Sequence, residues 1–157
     1  MLDQGRSAGA AGARRSNPLR MMDKLSHITE DSIRLLVDTF YAKVRADPEL
    51  APIFERAIHD WQPHLDKMYA FWSSVMLTTG RYKGNPLIKH KLLPDIRPES
   101  FSRWLALFDQ TCTELFDDAV SAAFRAKAER IAESLMLGIF YQPGQPWPPL
   151  PSARGVI

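Results

Sequence analysis

At 157 residues, with 45% hydrophobic and 24% charged residues, the chain has the size and balance of one globular domain with room for one sizeable core. Its net charge of +2 is misleading, because Arg6, Arg14, Arg15 and Arg20 face only Asp3 in residues 1–20 and leave the remaining body slightly acidic, which argues against a basic nucleic-acid groove. The single Cys112 excludes an intrachain disulfide and any C-x-x-C site, suits a reducing, cytoplasmic compartment, and no apolar run approaches the ~18 residues of a membrane span.

Residues 1–25 are rich in Gly, Ala, Ser and Arg and lack periodicity, so they read as a flexible, disordered extension. Arg14-Arg15 is followed by no hydrophobic stretch and makes no export signal, and Met21-Met22 offers an alternative start. Thr29 or Ser26 can cap the first helix, with Glu30 and Asp31 in its first turn. Ile33, Leu36, Val37, Phe40, Tyr41 and Val44 then form an unbroken helical stripe that Asp47-Pro48 ends. Tyr41 lies on that stripe, so its hydroxyl requires a partner inside the protein or on a ligand.

Two prolines, Pro48 and Pro52, predict an irregular or 3-10 corner that points Phe54 inward. Asp60 is a suitable N-cap for a helix to about Thr79, with Pro63 in its first turn. His64, Met68, Phe71, Trp72 and Val75 share one face of it, which leaves a lone imidazole among apolar groups. A satisfied core histidine is the bland reading of that imidazole. Asn85-Pro86 opens a short helix to Leu93, in which Lys89-His90-Lys91 reads by itself as a solvated basic turn.

Pro98 begins a well-patterned helix whose inward residues include Phe101, Trp104, Leu105, Phe108, Cys112 and Phe116. Asp117-Asp118 caps the last one, with Val120, Ala123, Phe124, Ala128, Ile131, Leu135 and Ile139 inward and a close near Gly138. Five prolines between Pro143 and Pro151 mark a tail outside the core. The expected architecture is all-α, with an extension over 1–25, a helical domain over 26–140 containing five substantial helices and a short one, and a proline-rich tail over 141–157.

Common catalytic signatures are absent: no P-loop, no H-E-x-x-H, no G-x-S-x-G, no G-x-G-x-x-G and no paired Glu-x-x-His. His27, His59, His64 and His90 are the only histidines, too few for most multi-histidine metal sites. A haem needs as little as one imidazole from the protein.

Six segments occur in order: Phe40-Tyr41; Pro52-Ile53-Phe54; Trp61-x-x-His64-Leu65 continuing to Phe71-Trp72; Tyr82-x-Gly84-x-Pro86-x-x-x-His90; Phe101-x-x-Trp104-Leu105-x-Leu107-Phe108; and Ala128-x-x-Ile131-Ala132-x-Ser134-Leu135. Together they resemble the truncated haemoglobins of group III across nearly the whole core. The resemblance implies a 2-over-2 helical sandwich around haem b (iron protoporphyrin IX), with His90 as the proximal iron ligand. By the same resemblance Phe54 packs on the porphyrin, Tyr41, His64 and Trp104 line the distal side, and Met68, Trp72 and Phe101 form the apolar wall. Lys67 matches a position that meets a haem propionate, with a solvated lysine as the alternative. Met68 stands where a branched aliphatic residue is more usual, and it reads as a gap-filler rather than an axial ligand.

The implied function is binding of O₂ and the other diatomic gases NO and CO in a polar distal pocket. It extends to nitric oxide dioxygenase-like or peroxidase-like detoxification, with a reductase as the partner of turnover. A haem-based sensor or O₂ reservoir without turnover is the alternative, as is a helical interaction module without haem. A monomer, with no nucleic-acid or membrane partner, is expected.

Overall fold

The structure is a computed structural model and describes residues 23–149. Six helices follow one another: α1 (Glu30–Ala46), α2 (Ala51–Ala57), α3 (Trp61–Leu77), α4 (Pro86–Lys91), α5 (Pro98–Leu115) and α6 (Asp118–Phe140). Four are long and two short, one substantial helix fewer than the five expected, and no strand occurs among the described residues. The pair α1 and α3 stacks on the pair α5 and α6, with α1 crossing α5 between the layers and α4 held against α6. This is the all-α, two-over-two arrangement expected from the sequence.

Thr29 caps α1 through a reciprocal box: its hydroxyl accepts from Ser32 N at 3.1 Å, and its own N–H donates to Ser32 Oγ at 2.8 Å. The stripe Ile33, Leu36, Val37, Phe40 and Val44 is essentially inaccessible to solvent. Each such side chain contributes about 1.5–3 kcal/mol relative to exposure. Phe40 sits at the junction of the layers, edge-on to Tyr41, Trp104 and Phe108 at 5.0, 5.2 and 5.3 Å between ring centroids. Phe108 is in turn stacked between Trp72 and Trp104, at 5.0 and 5.2 Å. These contacts leave both indoles little rotational freedom.

Two boundaries differ from the sequence expectation. The corner after Pro48 is the α-helix α2, because the Asp47 carboxylate accepts from the N–H groups of Glu49 and Leu50 at 3.2 and 3.0 Å and Pro52 lies in the first turn. Helix α3 stops at Leu77 because Thr78 turns left-handed, at φ 54 and ψ 34. Leu25 is tied into the body by its N–H donating to Leu115 O at 2.8 Å and its carbonyl accepting from Asp117 N at 3.0 Å. Residues 1–22, and 150–157 of the expected tail, lie outside the described residues.

Two further ties place the elements around the site. Ser73 on α3 donates to the Glu30 carboxylate at 2.6 Å, and Arg81 pairs with the same carboxylate at 3.0 Å, so the loop leading to α4 is anchored on the start of α1. Helix α4 seats on α6 where Leu87 covers Gly138. A Cβ at Gly138 would fall 2.6 Å from a Leu87 methyl, so a larger residue there would make the Leu87 side chain shift.

Candidate functional site

A cavity of about 540 Å³ opens between α3 and α4 and reaches inward to α1, α2, α5 and α6. Its size suits a cofactor, and its lining is mainly aliphatic and aromatic with a few convergent polar groups. Every residue singled out from the sequence borders it: Tyr41, Phe54, His64, Lys67 and Met68 among them, together with Trp72, His90, Phe101 and Trp104. A hollow of about 230 Å³ between α5 and α6 contains no histidine and brings no comparable set together.

His90 is fixed by its own helix. Asn85 caps α4 by accepting from Ile88 N, Pro86 occupies the first turn, and His90 follows one turn later. Its Nδ1 lies 2.6 Å from the Pro86 carbonyl. A carbonyl only accepts, so Nδ1 carries the proton, and in the neutral imidazole the free lone pair is that of Nε2. This is the arrangement that orients an imidazole as a metal ligand. The Phe101 ring flanks His90 at 6.3 Å. No group of three or more His, Cys, Asp or Glu residues forms a metal site among the described residues, so a metal held here would come with a cofactor of its own.

Across the cavity stands an aromatic box. Tyr41 is edge-on to His64 at 5.2 Å and to Phe54 at 5.8 Å, while Trp61 stacks on Phe54 and meets the face of His64 at 5.6 Å. The Arg45 guanidinium covers Trp61, 4.6 Å from the ring centroid. His64 Nε2 is buried and has no hydrogen-bond partner. Burial lowers the His64 pKa from 6.5 to about 4, with the positive charges of Lys67 and Lys89 acting in the same direction. The imidazole is therefore neutral at physiological pH.

Burial pushes the Tyr41 phenol well above its ordinary value, which keeps its proton on. Neither the Tyr41 hydroxyl nor the Trp104 indole N–H makes a hydrogen bond among the described residues. Two donors and an imidazole thus face an apolar chamber with nothing from the protein to satisfy them, and such groups are normally paired with something.

The residue set fits a haem by these criteria: an apolar slot, one imidazole with its ligating nitrogen free, unsatisfied polar groups opposite, and Lys67 and Lys89 at the rim for carboxylates. Lys89 was not singled out in the sequence, where the basic turn around His90 reads as solvent-facing. Its neighbour Lys91 does not border the cavity. Trp61 supports His64 from outside the lining, and only its spacing of three before that histidine hinted at this.

The model of the bacterial-like globin family matches residues 23–134. The chain belongs to that globin family. It is 36% identical over 113 residues to a group 3 truncated hemoglobin of Campylobacter jejuni, covering 69% of this chain and 89% of that protein. The crystal structure of a group III truncated hemoglobin from Campylobacter jejuni superposes with a TM-score of 0.72 at 34% identity, covering 74% of this chain and 95% of that one. The globin is thus of the group III truncated type, and haem binding and affinity for diatomic gases come with the family. No helix among the described residues is long and apolar enough to cross a membrane.

Proposed function

We propose that this globin holds haem b through His90 Nε2 and binds O₂ in a polar distal pocket made by Tyr41, Trp104 and His64, in the service of nitric oxide or peroxide turnover. The observation that carries the reading is the 2.6 Å contact from His90 Nδ1 to the Pro86 carbonyl, which commits the free nitrogen to the cavity.

Haem supplies an iron that takes up diatomic ligands and exchanges electrons; the protein supplies orientation, hydrogen bonds and exclusion of water. The Pro86 carbonyl holds the His90 Nδ1 proton, so the Nε2 lone pair of the neutral imidazole is the one available to iron. Phe54, Met68, Trp72 and Phe101 provide a dry wall. Lys67 and Lys89 border the cavity, where they would hold the carboxylates of a bound porphyrin.

Tyr41 and Trp104 offer O–H and N–H donors with no competing acceptor. A ligand that gathers negative charge on its outer atom gains about 1.5–3 kcal/mol from each such hydrogen bond. Slow release of O₂ follows, which suits use of the gas in place and opposes a carrier role. His64 stays neutral and unpartnered beside them, so it accepts or donates according to the ligand and screens the chamber from solvent.

The full-length protein should carry a Soret band from non-covalently bound haem b, extractable by acidified organic solvent. His90→Gly should lose stable haem uptake and recover it with added imidazole. Uptake in that variant equal to the parent without imidazole would refute the assignment.

A further inference from the structure

Helix α4 has a second face. At about 100° per residue, Ile88 and Leu92 point the same way, Lys89 and Lys91 lie roughly 80° to either side, and His90 points the opposite way. Ile88 is 57% and Leu92 76% exposed. Of the six large hydrophobic residues exposed among the described residues, four (Ile88, Leu92, Leu137 and Tyr141) fall on α4 and the adjoining end of α6. Concentration of exposed apolar groups at one place marks an interaction surface.

Charge is gathered there too. Between Lys67 and Pro94 the chain has no Asp or Glu but has Lys67, Arg81, Lys83, Lys89 and Lys91. Arg81 is neutralised by Glu30 and Lys67 faces the cavity, whereas Lys83, Lys89 and Lys91 make no ion pair among the described residues, Lys89 standing between the cavity rim and the outer face. Elsewhere the cations of the body are largely engaged: Lys43 with Glu114, Arg103 with Asp47, Arg125 with Asp109, Arg56 with Asp95, and Arg34 and Arg45 over aromatic rings. An apolar centre with a rim of unpaired positive charge favours a partner with an acidic rim, through fast, salt-sensitive encounter.

The face lies one helix thickness behind the His90 ring, and Leu92 also reaches the rim of the cavity. We infer that the outer face of α4, Ile88 and Leu92 between Lys89 and Lys91, is the docking surface for an acidic one-electron carrier protein that reduces the haem iron. The inference rests on the haem reading above. In the step, one electron leaves the carrier's reduced cofactor and converts ferric to ferrous iron, with no bond made or broken. Small area and reliance on charge are the hallmarks of transient redox encounters, which need quick release as well as quick arrival.

The test uses the full-length, haem-loaded protein with an acidic plant-type [2Fe–2S] ferredoxin as probe. Affinity of the oxidised pair is measured by calorimetry at low and high salt, and reduction of the ferric protein under CO by stopped flow. Ile88→Ser/Lys91→Glu lies outside the cavity lining; Lys127→Glu on α6 makes the same charge change away from the face. The double variant should weaken binding and slow reduction by about tenfold or more at low ionic strength and flatten the salt dependence. Lys127→Glu should change either by less than about twofold.

The Soret band, reduction by dithionite and CO rebinding should be alike in all three proteins; their loss in the parent would refute the haem reading itself. Intact haem chemistry with ferredoxin binding that is absent, or indifferent to the double variant, would overturn the docking surface alone. A parent that dimerises through this face, dissociated by the double variant, would overturn it as well and assign the face to a second copy. So would binding to anionic lipid vesicles with none to ferredoxin.

Discussion

Tyr41 and His64 meet edge to face, ring centroids 5.2 Å apart and planes at 89°, so the phenol from α1 and the imidazole from α3 brace one another at the same cavity wall. Each is also in contact with Trp61, so neither ring turns without disturbing the box. The polar end of Tyr41 is left free while its ring is held on three sides, which is preorganisation for a ligand's outer atom.

Removing that hydroxyl should be felt in release more than in fold. Tyr41→Phe, which keeps the ring contacts, and Trp104→Phe, which also shrinks the ring, should each speed O₂ dissociation by about tenfold or more, because a hydrogen bond to a charge-bearing acceptor is lost. Stopped-flow displacement of O₂ by CO measures it. No acceleration in either variant would sink the polar-pocket argument.

His64 ties stability to pH. Its native pKa of about 4 lies below the ordinary 6.5, so above 6.5 both folded and unfolded forms hold it neutral, and its contribution to stability is fully present. As the pH falls from 6.5 towards 4, the unfolded chain takes up a proton that the folded chain refuses, and stability is lost. Denaturation of the parent and of His64→Leu across that range should show a shallower acid decline in the variant. Parallel curves would contradict the buried, neutral imidazole.

Asp47 gives a second pH-linked component, lower on the scale. Its carboxylate, 3% exposed, accepts from Arg103 Nε and Nη2 at 2.9 and 2.6 Å and from two backbone N–H groups at the entry to α2. The Arg103 hydrogen bonds, followed by that from Leu50 N, hold its pKa below the ordinary 3.8. That stabilisation is present above the ordinary carboxylate range and disappears as the pH drops through the lowered value. Arg103→Ala should destabilise the protein at pH 7 and reduce the acid sensitivity below pH ~4, read by urea denaturation at several pH values.

Cys112 should be chemically silent in the folded protein. It is completely buried, and burial pushes its thiol up to about 12, with Asp109 adding and Arg125 opposing. A thiol reagent such as DTNB should label it only at the rate of global unfolding, accelerating in parallel with denaturant. Prompt labelling in native buffer would show that α5 opens locally.

The helices were legible because each long one writes its buried face at the helical period: the α1 stripe from Ile33 to Val44 appears in the structure without an exception. Caps at Thr29, Asp60, Asn85 and Asp117 were legible for the same reason, being local chemistry between a side chain and N–H groups two or three residues on. Helix α2 was not, because the carboxylate that organises its start, Asp47, is itself secured by Arg103 from a helix far along the chain. Nor was the place of Leu25, whose partners at Leu115 and Asp117 are distant in sequence.

The candidate site divides in the same way. Sequence alone determined the all-α class, the inward placement of Tyr41 and Trp104, and the spacing of Pro86 and His90 that lets an imidazole reach a carbonyl one turn back. Only the tertiary structure decided that His64 and His90 border one chamber, that Lys89 turns to its rim while Lys91 does not, and that Ile88 is left outside. Periodicity reports which side of a helix is apolar, since burial acts on every turn alike. It carries no record of which helix lies opposite, because that is set by packing of whole faces against one another.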